Sequence, residues 1–96
     1  MSENSPTTKT FQQRADEFIA VANQQAAESA VDDVNTSILY SAARFNAFSV
    51  ARSVKTADNL QAEKQGAIEY FTQRYAEMLA QNIDEYISRF ESYTQK

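Results

Sequence analysis

The residues that could do chemistry in this chain are carboxylates, hydroxyls, tyrosines, lysines and arginines, because its 96 residues include no histidine and no cysteine. Without histidine the usual general base near neutral pH and the commonest metal ligand are both missing. Without cysteine there are no disulfides, thiolate nucleophiles or sulfur metal sites, a composition that fits a reducing compartment. Ser-His-Asp triads and zinc motifs are excluded outright. The carboxylates that remain are poorly spaced for catalysis or metal binding. Di-iron bundles need inward-facing Glu-x-x-His pairs, and no Asp-rich loop has the spacing and glycine of a calcium loop. Asp84 and Glu85 are followed by Arg89, four residues after Glu85, in the favourable order for a surface ion pair worth a few tenths of a kcal/mol. Asp16 and Glu17 have Arg14 nearby and face away from the apolar stripe of their segment. These groups read as solvated charge, so the chain is expected to be neither an enzyme nor a cofactor or metal carrier.

Four other polar groups could line a ligand pocket between the second and third of three expected helices: Tyr40, Arg44, Asn46 and Tyr75. Asn46 projects into the apolar sector bordered by Leu39, Ala42, Ser49 and Val50. A buried amide must find partners or incur a desolvation cost of roughly 1 to 3 kcal/mol. It reads either as a group that fixes helix register or as a polar handle inside a pocket. Arg44 and Arg52 lie beside Tyr40 and Phe48, where their stems can cover aromatic surface while their guanidinium groups reach carboxylates such as Glu63, Glu69 and Glu77. Arg44 as an anion-binding residue is the sharper alternative, but no glycine-rich loop stands ready to complete a phosphate site. A small-molecule-binding bundle is therefore the second functional reading.

The elements that must position these groups follow from punctuation and periodicity. One proline, Pro6, and one glycine, Gly66, leave almost no turn signals, which favours long helices over strands. Residues 1–9 read as a flexible N-terminal arm and 10–96 as a single all-α domain, a three-helix bundle. A first helix is expected to start at Thr8 or Thr10 and run to about Ser29, with Phe11, Ala15, Phe18, Ile19, Ala22 and Ala26 on one stripe. The Asp32-Asp33 pair is the expected junction, able to cap the next helix and to favour its positive pole. From Asp33 to Val54 large residues point in nearly every direction around a 3.6-residue turn, so this helix is expected to be enclosed by its neighbours. Thr56 and Asp58, with Gln61, offer an approximate capping box for a third helix. Helical spacing then continues from Asp58 to about Tyr93, a span of roughly 50 Å, with a kink or break near Gly66 left open.

Nine basic and thirteen acidic residues give a net charge of -4, and the basic ones are scattered. Counterion release needs clustered cations, so neither nucleic acid nor an anionic membrane is an expected partner. No apolar run reaches the length of a membrane span, and the polar first ten residues do not resemble a signal peptide, which makes the cytoplasm the default address. The feature that points to function is an aromatic ridge, Ile83, Tyr86, Phe90 and Tyr93, near the end of the long helix. Such a ridge supplies contact area while tyrosine hydroxyls stay wet. It serves either as an interface, to a protein partner or to a second copy in a dimer, or as the closure of the monomer's own core.

The segments Arg14-Ala-Asp-Glu-Phe-Ile19 with Ala22-Asn23, Tyr40-Ser-Ala-Ala-Arg-Phe-Asn-Ala-Phe48, Tyr70-Phe71, Tyr75, Met78-Leu79, Asn82, Tyr86-Ile87 and Phe90 carry a family resemblance. The chain resembles a family of short proteobacterial proteins known only as a domain of unknown function. The likeness extends from about Phe11 to Tyr93, and Ala43-Arg-Phe-Asn-Ala-Phe48 is its most specific element. The resemblance implies a bacterial helical protein and supplies no catalytic residue.

Overall fold

In a computed structural model the described residues, 8–90 and 92, form three helices and no strand: α1 (Phe11–Ala26), α2 (Val31–Ala51) and α3 (Ala57–Ser88). The all-α, three-helix class expected from the sequence is the one observed. Most of the 1–9 arm lies outside the described residues, while Thr8 and Lys9 are exposed and non-helical.

Local chemistry sets each boundary. Thr10 is the cap of α1: its hydroxyl accepts from the Gln13 amide at 3.1 Å and the Gln13 side chain accepts from the Thr10 amide at 2.8 Å, a complete capping box. The helix stops at Ala26, earlier than expected, and the chain turns through Ala27 to Ala30. Accordingly α2 begins at Val31, with the Ala30 carbonyl accepting from the amides of Asp33 and Val34. Asp32 and Asp33 thus lie in the first turn instead of at the junction. Their charge still opposes the positive end of the helix.

The last turn of α2 closes at Ala51, where Arg52, Ser53 and Val54 donate back to Phe48, Val50 and Ala51, and the Ser53 hydroxyl also donates to the Val50 carbonyl at 2.6 Å. These bonds satisfy carbonyls that have no partner within the helix. The cap of α3 is Thr56, accepting from Asn59 at 3.0 Å, so the Asp58–Gln61 pairing is not the one used. Gly66 does not interrupt α3, which runs for 32 residues, or about 48 Å. The glycine has no positive φ, and an added Cβ there would meet nothing within 4 Å.

The chain divides into two compact units, Met1–Arg44 and Phe45–Lys96, with the boundary inside α2. In the first, Val34 is buried, at 6 % exposure, and Ala15, Ala22 and Ala26 are half-buried. These alanines lie on the expected stripe of α1, but its large members, Phe11, Phe18 and Ile19, are exposed. In the second, half-burial falls on Asn46, Ser49, Val50 and Val54 of α2 and its turn, and on Leu60, Ala67 and Phe71 of α3.

Among the described residues, the enclosure expected for α2 is not seen. Ile38, Leu39, Tyr40, Phe45 and Phe48 are all exposed, Tyr40 to 66 % and Phe45 to 65 %. The physical reason is residue size. Alanine, serine and valine occupy most of the shielded positions, while the large side chains occupy other lines of the same helices. Among the described residues Val34 is the only buried hydrophobic one.

Candidate association surface

The C-terminal half of α3 builds the candidate surface. With about 100° between successive residues, side chains three and four apart share a face. Ile83 and Tyr86 therefore lie together, with Phe90 just beyond the Arg89 end of the helix. All three are exposed, from 49 to 61 %. Tyr93 lies outside the described residues.

Polar residues hold this end in helical form. The Arg89 amide donates to the Glu85 carbonyl at 3.2 Å, and its guanidinium meets the Glu85 carboxylate at 2.9 Å. This is the ion pair that the four-residue spacing implied. Both partners are more than half exposed, so its contribution is a few tenths of a kcal/mol. The Asn82 side chain donates to the Met78 carbonyl at 2.8 Å and the Ser88 hydroxyl to Glu85 at 3.0 Å. Each stays within its own helix.

The pocket residues present a different picture. Tyr40 and Arg44 are exposed in the first unit, and Tyr75 is exposed in the second. Asn46 is half-buried, in keeping with its place in the apolar sector, and its carbonyl accepts from the Ser49 hydroxyl at 2.7 Å. A shallow hollow of about 230 Å³ lies at the α2–α3 turn, lined by Ala51, Val54, Lys55, Thr56, Ala57 and Leu60. None of Tyr40, Arg44, Asn46 and Tyr75 lines it. Of its lining side chains only Lys55 and Thr56 are polar, and Thr56 already serves as the α3 cap. Ligand sites depend on several polar groups converging on an enclosed apolar space.

Arginines shield aromatic rings locally, as expected of long amphipathic side chains. The Arg52 guanidinium lies 5.8 Å from the Phe48 ring centre, and that of Arg74 lies 5.4 Å from Tyr70. At the other end of the chain, Glu17 pairs with Lys9, while Arg14 donates to the Lys9 carbonyl at 3.1 Å. Asp16 accepts from Gln12 at 2.8 Å. The partner expected for the Asp16-Glu17 pair, Arg14, is thus engaged with backbone instead. No group of three or more acidic residues capable of holding a metal occurs among the described residues.

Sequence reasoning missed how far the exposed line extends towards the N-terminus of α3. The sequence reading places Tyr75 among the pocket groups, yet Ile68, Tyr75 and Leu79 are exposed at 48, 49 and 43 %. Their spacing was legible, but the identity of the covered face of α3 was not. The half-buried face is carried by Leu60, Ala67 and Phe71.

Comparison with known proteins agrees with the architecture. Residues 11–87 match the family described as Protein of unknown function (DUF3144). The chain is similar to a solved structure, the NMR structure of the protein NB7890A from Shewanella sp.. Identity is 38 %, the match covers 96 % of this chain and 100 % of that one, and the TM-score is 0.77. Among curated proteins, none matches.

Proposed function

The chain belongs to the DUF3144 family, whose description assigns no function, and from its own surface we propose that it is a non-catalytic helical association module of the cytoplasm. It acts by laying apolar helix faces against another protein surface, that of a different protein or of a second copy. The observation that carries this reading is the exposure of large hydrophobic side chains on all three helices, against one buried hydrophobic residue, Val34, among the described residues. Scattered exposed apolar residues are ordinary, but contiguous apolar faces mark interaction surfaces. Here exposed large apolar residues recur on each helix, from Phe11, Phe18 and Ile19 in α1 to Ile83, Tyr86 and Ile87 in α3. A chain that shields so little of its apolar surface gains little hydrophobic stabilisation by itself, at about 25 cal/mol per Å² removed from water. Association supplies the missing burial.

No helix among the described residues is long and apolar enough to cross a membrane, so protein is the apolar surface that this reading invokes. The non-catalytic part of the proposal is supported by the absence of histidine and cysteine from the sequence. Light scattering at several concentrations, combined with affinity capture, tests the reading. A mass above that of one chain, or a stoichiometric complex with a retained protein, is expected. A strict monomer that retains no protein would remove the proposal's basis.

A further inference from the structure

Resting on the association reading, we propose that the partner is a second copy of this chain, held by α3 packing against α3 of the other copy in antiparallel orientation about a twofold axis at Leu79. The exposed stripe of α3 runs Ile68, Thr72, Tyr75, Leu79, Ile83 and Tyr86, with Phe90 just past the helix end, at intervals of 4, 3, 4, 4, 3 and 4 residues. This is an 11-residue repeat, Ile68 to Leu79 to Phe90, with Thr72 to Ile83 and Tyr75 to Tyr86 in step. Eleven residues correspond to about 3.67 per turn, close to an undistorted helix, so the stripe stays on one side without the left-handed supercoil that a heptad imposes.

The intervals read the same in both directions from Leu79. A twofold axis there sets Leu79 against the partner's Leu79, Tyr75 against the partner's Ile83, Thr72 against the partner's Tyr86, and Ile68 against the partner's Phe90. Each aromatic ring meets a smaller side chain, the alternation of large and small that facing helices need in order to interdigitate. A closed pair with twofold symmetry requires a patch complementary to itself, and a stripe symmetric in spacing about Leu79, with a large residue on one side answering a smaller one on the other, has that property.

The area also suits a dimer. Ile68, Tyr75, Leu79, Ile83, Tyr86 and Phe90 are 43 to 61 % exposed. Taking roughly 200 Å² for a fully exposed side chain of this size, they leave about 600 Å² of apolar surface per chain. That is the lower end of the roughly 600 to 1,000 Å² per partner found in stable interfaces.

Because the chain has no cysteine, single cysteines report the geometry without background. Full-length Leu79→Cys, Thr72→Cys and Tyr86→Cys proteins would be prepared separately and treated with a short bismaleimide, alone and in mixture, after sedimentation equilibrium has given the mass of the unmodified chain. The expected result is a dimer in which Leu79→Cys links to itself, while Thr72→Cys and Tyr86→Cys link strongly only when mixed. Self-linking of Thr72→Cys and Tyr86→Cys without mixed preference indicates parallel pairing and overturns the proposal. Absence of any link between chains, with a monomeric mass, overturns it as well. An oligomer with another linking pattern, or a monomer that retains a different protein, overturns the α3 pairing but leaves the broader association reading intact. A monomer that retains nothing overturns both. Leu79→Glu supplies a second check: the sedimenting mass is expected to halve with helicity retained at concentrations where the parent is dimeric, and an unchanged mass in a helical protein counts against the pairing.

Discussion

Single residues decide where helices start in this chain and how much each start contributes. The Thr56 hydroxyl accepts from Asn59 at 3.0 Å, and no reciprocal side-chain bond accompanies it as Gln13 accompanies Thr10. Thr56→Ala is expected to lower unfolding free energy by about 1 kcal/mol, checked by urea titration at fixed protein concentration. Gly66 gives the opposite sign. It lies within α3 with an ordinary helical φ and open space where a Cβ would point. Gly66→Ala is therefore expected to raise stability by about 0.8 to 1 kcal/mol, read as a higher denaturant midpoint with an unchanged slope. A fall would mean that this position packs against something that the single chain does not show.

At the scale of elements, the covered and uncovered parts of α3 differ in kind. Leu60, Ala67 and Phe71, all in the first half of α3, are half-buried, while residues 72–90 are exposed, Ile83 and Tyr86 among them. Replacing Tyr86 and Phe90 together by serine is expected to leave far-UV circular dichroism helical while reducing the mass found by light scattering. Loss of helicity that raising the protein concentration does not reverse would instead assign the ridge to the chain's own packing. Helical spacing alone revealed that α3 is long and apolar along its length. It did not reveal that Tyr75 and Leu79 continue the exposed line, because a periodic stripe looks the same whether its cover comes from the same chain or from another.

For the whole molecule, the proposed association implies that folding and association are coupled. Binding that stabilises only the folded state shifts unfolding by mass action. The urea midpoint of the full-length chain is expected to rise as protein concentration rises, and a midpoint independent of concentration over two orders of magnitude would argue that the chain is stable alone. Salt is expected to change this behaviour little, since the Arg89–Glu85 and Lys9–Glu17 pairs are substantially exposed.

Much of the architecture was legible before any coordinates. Scarce glycine and proline, unbroken 3.6-residue spacing and capping hydroxyls at Thr10 and Thr56 are local properties, and they determined three helices with nearly correct starts for the first and third. The exclusion of triads and sulfur metal sites likewise followed from composition alone. Burial was left to the tertiary structure, because it depends on which residues of separate helices approach one another. Alanines, serine and valines took most of the shielded positions, and Tyr40, Phe45, Tyr75 and Tyr86 were left in water. An all-round apolar helix states that a cover is needed; which of its side chains are shielded among the described residues is decided only by the folded structure.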